Sequence, residues 1–503
     1  MNRGKKALYN SLASALSQIV SMVCGFILPR LILSAFGSSY NGIASSVAQF
    51  LSVVALLRAG IGGATRAALY KSLAANDQKK TNAIIRATEI FMRKVALIFI
   101  GFVLLFSVVY PYFVKEEFEW LFVSTLVLII SLSTFVQYFF GITYQILLQA
   151  DQRQYVSSFL EIVTIILNTA ISAVLIKCGV GIHGVKLGSA VAFSISPVVL
   201  NIIAKKQYHI ERKVEPDFSS ISQRWDAFSH QLAAFIHNNT DIVLLTIFTN
   251  TKEISVYTVY YLVANGLKRV MNTMMVGVES AFGSIIANNE KDVLKRDVVH
   301  YETLLHIVSS ALFGAAIVLV TPFVQVYTRG INDVEYTRVL FGYLVIIGEM
   351  LFILRSPYEA LVNASGYFKQ TKKYAYAEAG INLFISTLMV HKFGLVGVVI
   401  GTVAAISFRN IAYAMYASKA IIYRSPMIFI KRFAVTGATV ALIFFSCKLL
   451  PKYSMTSYIH WAYFAVETAA IAVLFTVLLN LLFFKDDTLG LFGKVSRILK
   501  KKR

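Results

Sequence analysis

The stretch that decides the reading is Tyr257–Ala287, YTVYYLVANGLKRVMNTMMVGVESAFGSIIA. It is largely apolar and longer than the roughly 20 residues a helix needs to cross about 30 Å of hydrocarbon. Yet Lys268 and Arg269 stand near its middle and Glu279 toward its end. A charge at the bilayer centre costs about 2.5–3.5 kcal/mol on insertion scales, so such groups face a watery cavity or pair with one another. The stretch therefore predicts a membrane helix whose charged face is turned away from lipid.

The rest of the chain fits that setting. Of its 503 residues 57% are hydrophobic and 15% charged, with a mean hydropathy of +0.66. Soluble domains are about 45–50% apolar and about 25% charged. The apolar runs are of helix-spanning length and do not alternate as barrel strands do. The expectation is an all-α polytopic membrane protein with about fourteen transmembrane helices. Span 1 is read at 8–33, span 2 at 42–66, span 7 at 227–249, span 8 at 254–287, span 11 at 374–391 and span 14 at 460–484. The basic segment Met1–Lys6 precedes a long run without a convincing small-residue cleavage site, so it reads as a first span rather than a signal peptide.

With the chain started in the cytoplasm, 34 of the 48 lysines and arginines fall in inner connections and 9 in outer ones. The other five, Arg30, Lys268, Arg269, Arg355 and Arg409, fall in neither set. The positive-inside rule then puts both termini in the cytoplasm, and the cell (plasma or inner) membrane is the expected location. It also accounts for the net charge of +22 without a nucleic-acid partner. No connection is long enough for a folded domain of about 50 residues, so function is expected among the helices.

An internal repeat organises these spans. Tyr144-Gln-Ile-Leu-Leu-Gln-Ala150 matches Tyr358-Glu-Ala-Leu-Val-Asn-Ala364, and Asn168 with Ser172 matches Asn382 with Ser386. Gly181, Gly184 and Gly188 match Gly394, Gly397 and Gly401, and the offsets are 214, 214 and 213 residues. Two copies of one six-span unit follow: an N-terminal lobe at 1–210 and a C-terminal lobe at 211–425. Spans 13 and 14 and a basic tail make up 426–503. Copies with an even span count share one orientation, so they are expected to be pseudo-symmetric about the membrane normal with the substrate path between them. Span 8, the opening stretch, is then the counterpart of span 2, which carries Arg58.

Other motifs have plainer readings. Gly179-x-Gly181-x-x-Gly184 matches a dinucleotide fingerprint but lacks the strand-turn-helix setting that motif needs; glycines spaced by four fit close helix packing. Cys24, Cys178 and Cys447 are isolated, so neither a disulfide framework nor a metal site is expected. Pro29, Pro197, Pro322 and Pro357 lie within spans, as kinks along a path or simply as common membrane-helix prolines. Tyr257, Tyr260 and Tyr261 read as an interfacial belt or as stacking platforms for sugar rings. No metal-ligand spacing, P-loop or nucleophile motif occurs, so neither a cofactor nor an enzyme activity is expected.

The sharp signal is the set of basic residues in spans: Arg30, Arg58, Lys268, Arg269, Arg355 and Arg409. Two readings stand. They pair internally, with Asp241, Glu279, Glu349, Glu359 and Glu467 available, or they line a cationic cavity. Adjacent helical residues do not share one packed face, which favours a cavity for Lys268 and Arg269. Arg355 and Arg409, nearer the inner face, equally suit pairing or snorkelling. Such a chamber suits an anion, held bidentately by arginine and as a point charge by lysine. Asp241, Glu279 and Glu349 are the candidate ion-coupling groups or charge partners.

The opening of the chain resembles a known family. Tyr9-Asn-Ser-Leu, Pro29-Arg-Leu-Ile-Leu-Ser-Ala-Phe-Gly37, Tyr40-Asn-Gly42 and Leu57-Arg58-Ala-Gly60-Ile-Gly-Gly-Ala64-Thr-Arg66 look like the Wzx-type polysaccharide flippases. These are members of the multidrug/oligosaccharidyl-lipid/polysaccharide exporter superfamily. The resemblance implies a V-shaped alternating-access chamber between two six-helix lobes, and transport of an oligosaccharide on polyprenyl pyrophosphate from the inner to the outer leaflet. It implies membrane lipids as partners, a polysaccharide polymerase and other assembly proteins as associates, and a monomeric transporter. In the related lipid II flippases cationic residues occur in spans 1, 2 and 8, and Arg30, Arg58 and Lys268/Arg269 occupy similar places. The competing class is a cation-coupled multidrug antiporter of the same superfamily, expected to favour acidic residues such as Asp241 and Glu349. A membrane polymerase or glycosyltransferase would need a large outer loop, which is not expected here.

Overall fold

The computed structural model describes residues 3–54, 56, 61–211, 213–220, 228–275, 277–451, 453–491 and 493. Among these, the regular structure is helical, with no strand. Eleven of the described helices are long and apolar enough to cross a membrane. Their surfaces are inverted relative to a soluble protein: Leu8, Leu12, Leu16, Ile19 and Val23 all stand exposed on the helix Arg3–Phe36, as apolar surface does where the solvent is lipid.

Three of the fourteen expected spans are not among the eleven. Of span 2, the described residues form a helix Ser38–Leu51, a 3-10 turn Ser52–Val54 and a helix Ile61–Ala74; Arg58 lies outside the described residues. Span 7 corresponds to the helix Phe228–Phe248, of which the stretch Asn239–Phe248 is apolar but short of membrane-spanning length. Span 11 lies in the helix Phe368–Phe393, where Glu378, Asn382, His391 and Lys392 dilute the apolar run.

The opening stretch, expected as one helix, is two: Thr251–Met275 and Val278–Ala287. Between them Gly277 has φ +84°, a left-handed conformation that glycine adopts without steric cost. Glu279 therefore sits in the first turn of a new helix, where the unpaired N–H groups favour negative charge. Breaks recur where the repeat predicts equivalence. A π-turn Gln137–Gly141 precedes the helix Ile142–Ala150, and Arg355 precedes the helix Ser356–Ala364, which carries Pro357 in its first turn. Proline is pre-organised for that position.

The chain forms two compact units, Met1–Ser255 and Val256–Arg503. In the first, the helix Arg3–Phe36 packs on Gln154–Lys177, which packs on Ile182–Tyr208, which packs on Trp120–Val136. The helix Ser38–Leu51 lies against Phe228–Phe248, with Ser46 and Thr246 hydroxyls 2.7 Å apart. Gly42 lets it approach: a Cβ there would overlap the Thr251 carbonyl. In the second unit the helix Lys291–Tyr327 contacts Val339–Leu354, Met427–Cys447 and Tyr458–Phe483.

The repeated Asn/Ser and glycine motifs fall on corresponding helix pairs. Ser172 and Ser189 hydroxyls are 3.2 Å apart between Gln154–Lys177 and Ile182–Tyr208. Between Phe368–Phe393 and Leu395–Ala417, Asn382 donates to Thr402 Oγ1 at 2.8 Å and Ser386 to the Val398 carbonyl at 2.9 Å. A Cβ on Gly188 would strike Leu175, and one on Gly401 would strike Ser386. These glycines hold helices close, and the dinucleotide reading has no strand to stand on.

Candidate functional site

Six charged residues of the second unit, Lys268, Glu349, Arg355, Glu359, Glu378 and Arg409, form one group connected through Phe352. Lys268, on Thr251–Met275, and Glu349, on Val339–Leu354, meet with Nζ 3.2 Å from Oε2. The Lys268 ammonium also stands 3.8 Å from the centroid of the Phe352 ring, and the Arg355 guanidinium carbon 4.6 Å from the same centroid. A ring face attracts cations through its quadrupole, most strongly where water is excluded. Phe352 thus joins two cations of separate helices.

Arg355 and Arg409 are held by carboxylates. Arg355 contacts Glu359 Oε2 at 3.2 Å and Glu378 Oε1 at 2.9 Å. Arg409 pairs with Glu378 and lies 3.4 Å from Glu359 Oε1, and its Nη2 donates to Tyr413 Oη at 3.0 Å. Two arginines and two glutamates make a neutral quartet. Arg355 is 3% and Glu378 1% exposed. Burying either charge alone would cost several kcal/mol, and the reciprocal pairing offsets it.

The remaining expected site residues belong to both units. Arg269 is exposed beside half-buried Lys268. Glu279 accepts from Asn363 Nδ2 at 3.2 Å, so the partner recorded for Lys268 is Glu349. Arg30, half-buried after Pro29, and Asp241, buried in Phe228–Phe248, lie in the first unit.

No protein-family model matches the sequence, and no curated protein matches it. Solved structures do. The chain is similar to the lipid II flippase MurJ in an inward closed conformation, with a TM-score of 0.71 at 17% identity over 95% of this chain and 99% of that one. It is similar to a eukaryotic MATE transporter, with a TM-score of 0.57 at 15% identity over 87% of this chain and 99% of that one. A MOP-superfamily transporter from Pyrococcus furiosus, described as having a binding pocket of reverse polarity, gives a TM-score of 0.54 at 13% identity, covering 81% of this chain and 95% of that one. The fold is that of the MOP-superfamily transporters. With eleven membrane-length apolar helices in such a fold, the chain is a multi-pass membrane protein.

Within this MOP-type fold, two further features escaped the sequence reading. Glu378 was missed because it follows Lys372, Lys373 and Tyr374, a run that reads as the polar edge of a span; its repeat counterpart, Thr164, was the available contrast. The second is a buried cluster on Lys291–Tyr327. Glu302, fully buried, pairs with Arg424 and lies 3.6 Å from Arg432 Nε, while Arg432 Nη2 donates to Asp487 at 2.7 Å. It ties the C-terminal pair of helices to their neighbour, a structural task that Arg424 and Arg432 did not advertise in the sequence.

Proposed function

We propose that this protein is a flippase that carries a polyprenyl-pyrophosphate-linked oligosaccharide from the inner to the outer leaflet by alternating access, for cell-surface polysaccharide synthesis. The observation that carries the reading is the Lys268–Glu349 contact beside exposed Arg269. Lys268 and Arg269 put two adjacent cations in the middle of a membrane-length helical stretch. A pyrophosphate is the complementary charge. Neither it nor the sugars can cross hydrocarbon unaided, because each unsatisfied polar group there costs several kcal/mol.

In this reading Arg30, Arg58, Lys268 and Arg269 form the cationic chamber, with Arg355 and Arg409 contributing through their shared carboxylates. Asp241, Glu279 and Glu349 serve as charge partners or ion-coupling groups. Fourteen spans make two six-helix lobes, at 1–210 and 211–425, with two more helices in 426–503. The chain works as a monomer in the cell membrane, with both termini in the cytoplasm. Membrane lipids and assembly proteins such as a polymerase are its partners, and it makes or breaks no covalent bond. The likeness to the lipid II flippase supports a lipid-linked cargo.

A second reading, a cation-coupled multidrug antiporter, draws on the likeness to MATE transporters and on buried Asp241 and Glu349. The Pyrococcus furiosus transporter, whose reversed pocket polarity is said to suggest a different function, makes pocket charge the property to compare. Proteoliposomes with a fluorescent polyprenyl-pyrophosphate disaccharide separate the two. Protection of inner-leaflet probe is lost over time with a flippase, and Lys268→Ala with Arg269→Ala abolishes that movement. Efflux of a lipophilic cation without probe movement would overturn the first reading.

A further inference from the structure

The first unit has an open cavity of about 540 Å³ among the helices Arg3–Phe36, Trp120–Val136, Gln154–Lys177 and Ile182–Tyr208. Its wall includes Ser133, Gln137, Gln145, Glu161, Thr164 and Asn168. The described lining contains no lysine or arginine, and Glu161 is its one acidic group. Glu161 accepts from Ser17 Oγ at 2.9 Å and is otherwise open. Asn168 is 3% exposed, and its Oδ1 accepts no hydrogen bond. A buried amide oxygen without a donor costs about 1–3 kcal/mol, which a ligand hydroxyl would recover.

The internal repeat says what this space could have been. Gly141, Gln145, Thr164 and Ser196 all line the cavity. At the recorded offsets their counterparts are Arg355, Glu359, Glu378 and Arg409, the four members of the neutral ion quartet of the second unit. In one copy the four positions are closed by mutual charge. In the other they are small or neutral and leave room, so the opening is not imposed by the fold.

We propose that this cavity binds the neutral, hydroxyl-rich part of the cargo, one or more uncharged sugar residues, while the cationic residues hold the pyrophosphate. The inference rests on the flippase reading. Hydroxyl and amide side chains both donate and accept, as sugar hydroxyls do, and a carboxylate accepts from two adjacent hydroxyls. A phosphate would meet Glu161 with no cation beside it. A monovalent ion needs little more than a water's volume, while the cavity falls in the range of small-molecule sites, about 300–1,000 Å³.

The test uses the full-length protein in nanodiscs with two probes: undecaprenyl pyrophosphate, and the same lipid bearing a neutral disaccharide. The wild type is expected to bind the glycosylated lipid more tightly. Thr164→Phe, which fills the cavity, and Gln145→Leu, which removes an amide at similar volume, each remove that advantage, by about tenfold or more for the first. Binding of the bare lipid is retained and reports that the variants fold. An undiminished advantage in both variants overturns the proposal, as does equal loss with both probes. Sodium binding that is lost in Glu161→Gln while the sugar advantage persists would assign the cavity to a cation instead. Failure of the wild type to bind either lipid overturns the flippase reading and this one together.

Discussion

The Lys268 ammonium lies between a carboxylate and an aromatic ring, 3.2 Å from Glu349 Oε2 and 3.8 Å from the Phe352 centroid. Both partners sit on one helix, Val339–Leu354, three residues apart and therefore on one face. An anionic cargo that recruits Lys268 competes with Glu349 for it. Glu349→Gln removes that competitor. The expected result is tighter binding of undecaprenyl pyrophosphate, by about tenfold, with slower turnover because release is retarded. Binding isotherms alongside proteoliposome flipping check both arms; weaker binding in Glu349→Gln would remove the competition from the mechanism.

The same pair predicts an asymmetric double-mutant cycle. Lys268→Ala leaves a largely buried carboxylate without its cation, a loss of up to about 3–5 kcal/mol for buried pairs. Lys268→Met combined with Glu349→Leu removes both charges and should recover most of the stability without recovering transport. Thermal unfolding in detergent, read beside flipping, distinguishes the two effects.

Glu378 is the keystone of the quartet because each of its oxygens pairs with a different arginine. Glu378→Ala should destabilise the protein by about 3–5 kcal/mol. Replacing Arg355, Glu359, Glu378 and Arg409 together by Gly, Gln, Thr and Ser, the residues of the first copy, should be milder and should open a cavity in the second unit. The comparison is read as melting temperatures, and a quadruple variant less stable than Glu378→Ala contradicts it.

Gly277 is constrained by backbone rather than by space. A Cβ there meets nothing within 4 Å, but φ is +84°. Gly277→Ala should therefore cost about 1–2 kcal/mol through strain alone, and it favours a continuous helix through 275–278. Hydrogen exchange at these amides should slow if the helix straightens, and transport should fall if the break is needed for movement.

Outside the spans, Asp217 accepts from Ser219 Oγ at 2.5 Å and from the Ser220 amide at 3.2 Å. These hydrogen bonds, the Ser219 hydroxyl foremost, hold its carboxyl below the ordinary value of 3.8. A depressed folded pKa stabilises above the unfolded value, and the benefit fades as pH falls through the folded one. Local protection of residues 217–220 should thus be level at neutral pH and decline below about pH 4. Asp217→Asn should abolish that decline.

Much of this protein is legible in its residues because hydrocarbon imposes a simple rule. Backbone polar groups must be satisfied within each span, so apolar runs of the right length are helices. Composition therefore determined the membrane class. The repeat was visible because its Tyr, Asn, Ser and Gly positions carry packing that few other residues can replace. The charged positions in spans were visible for the opposite reason, their cost in lipid. Tertiary structure decided what those charges do. The sequence allowed Lys268 any of several carboxylates, and the packing of Thr251–Met275 beside Val339–Leu354 selected Glu349. It left Arg355 and Arg409 open between cavity and pairing, and Glu378, hidden in a polar run, joins them in a neutral quartet. It offered one helix at 254–287, and a left-handed Gly277 made two. Periodicity and hydropathy report a residue's solvent, whereas partners depend on which distant helices meet, and that is set only when the chain is packed.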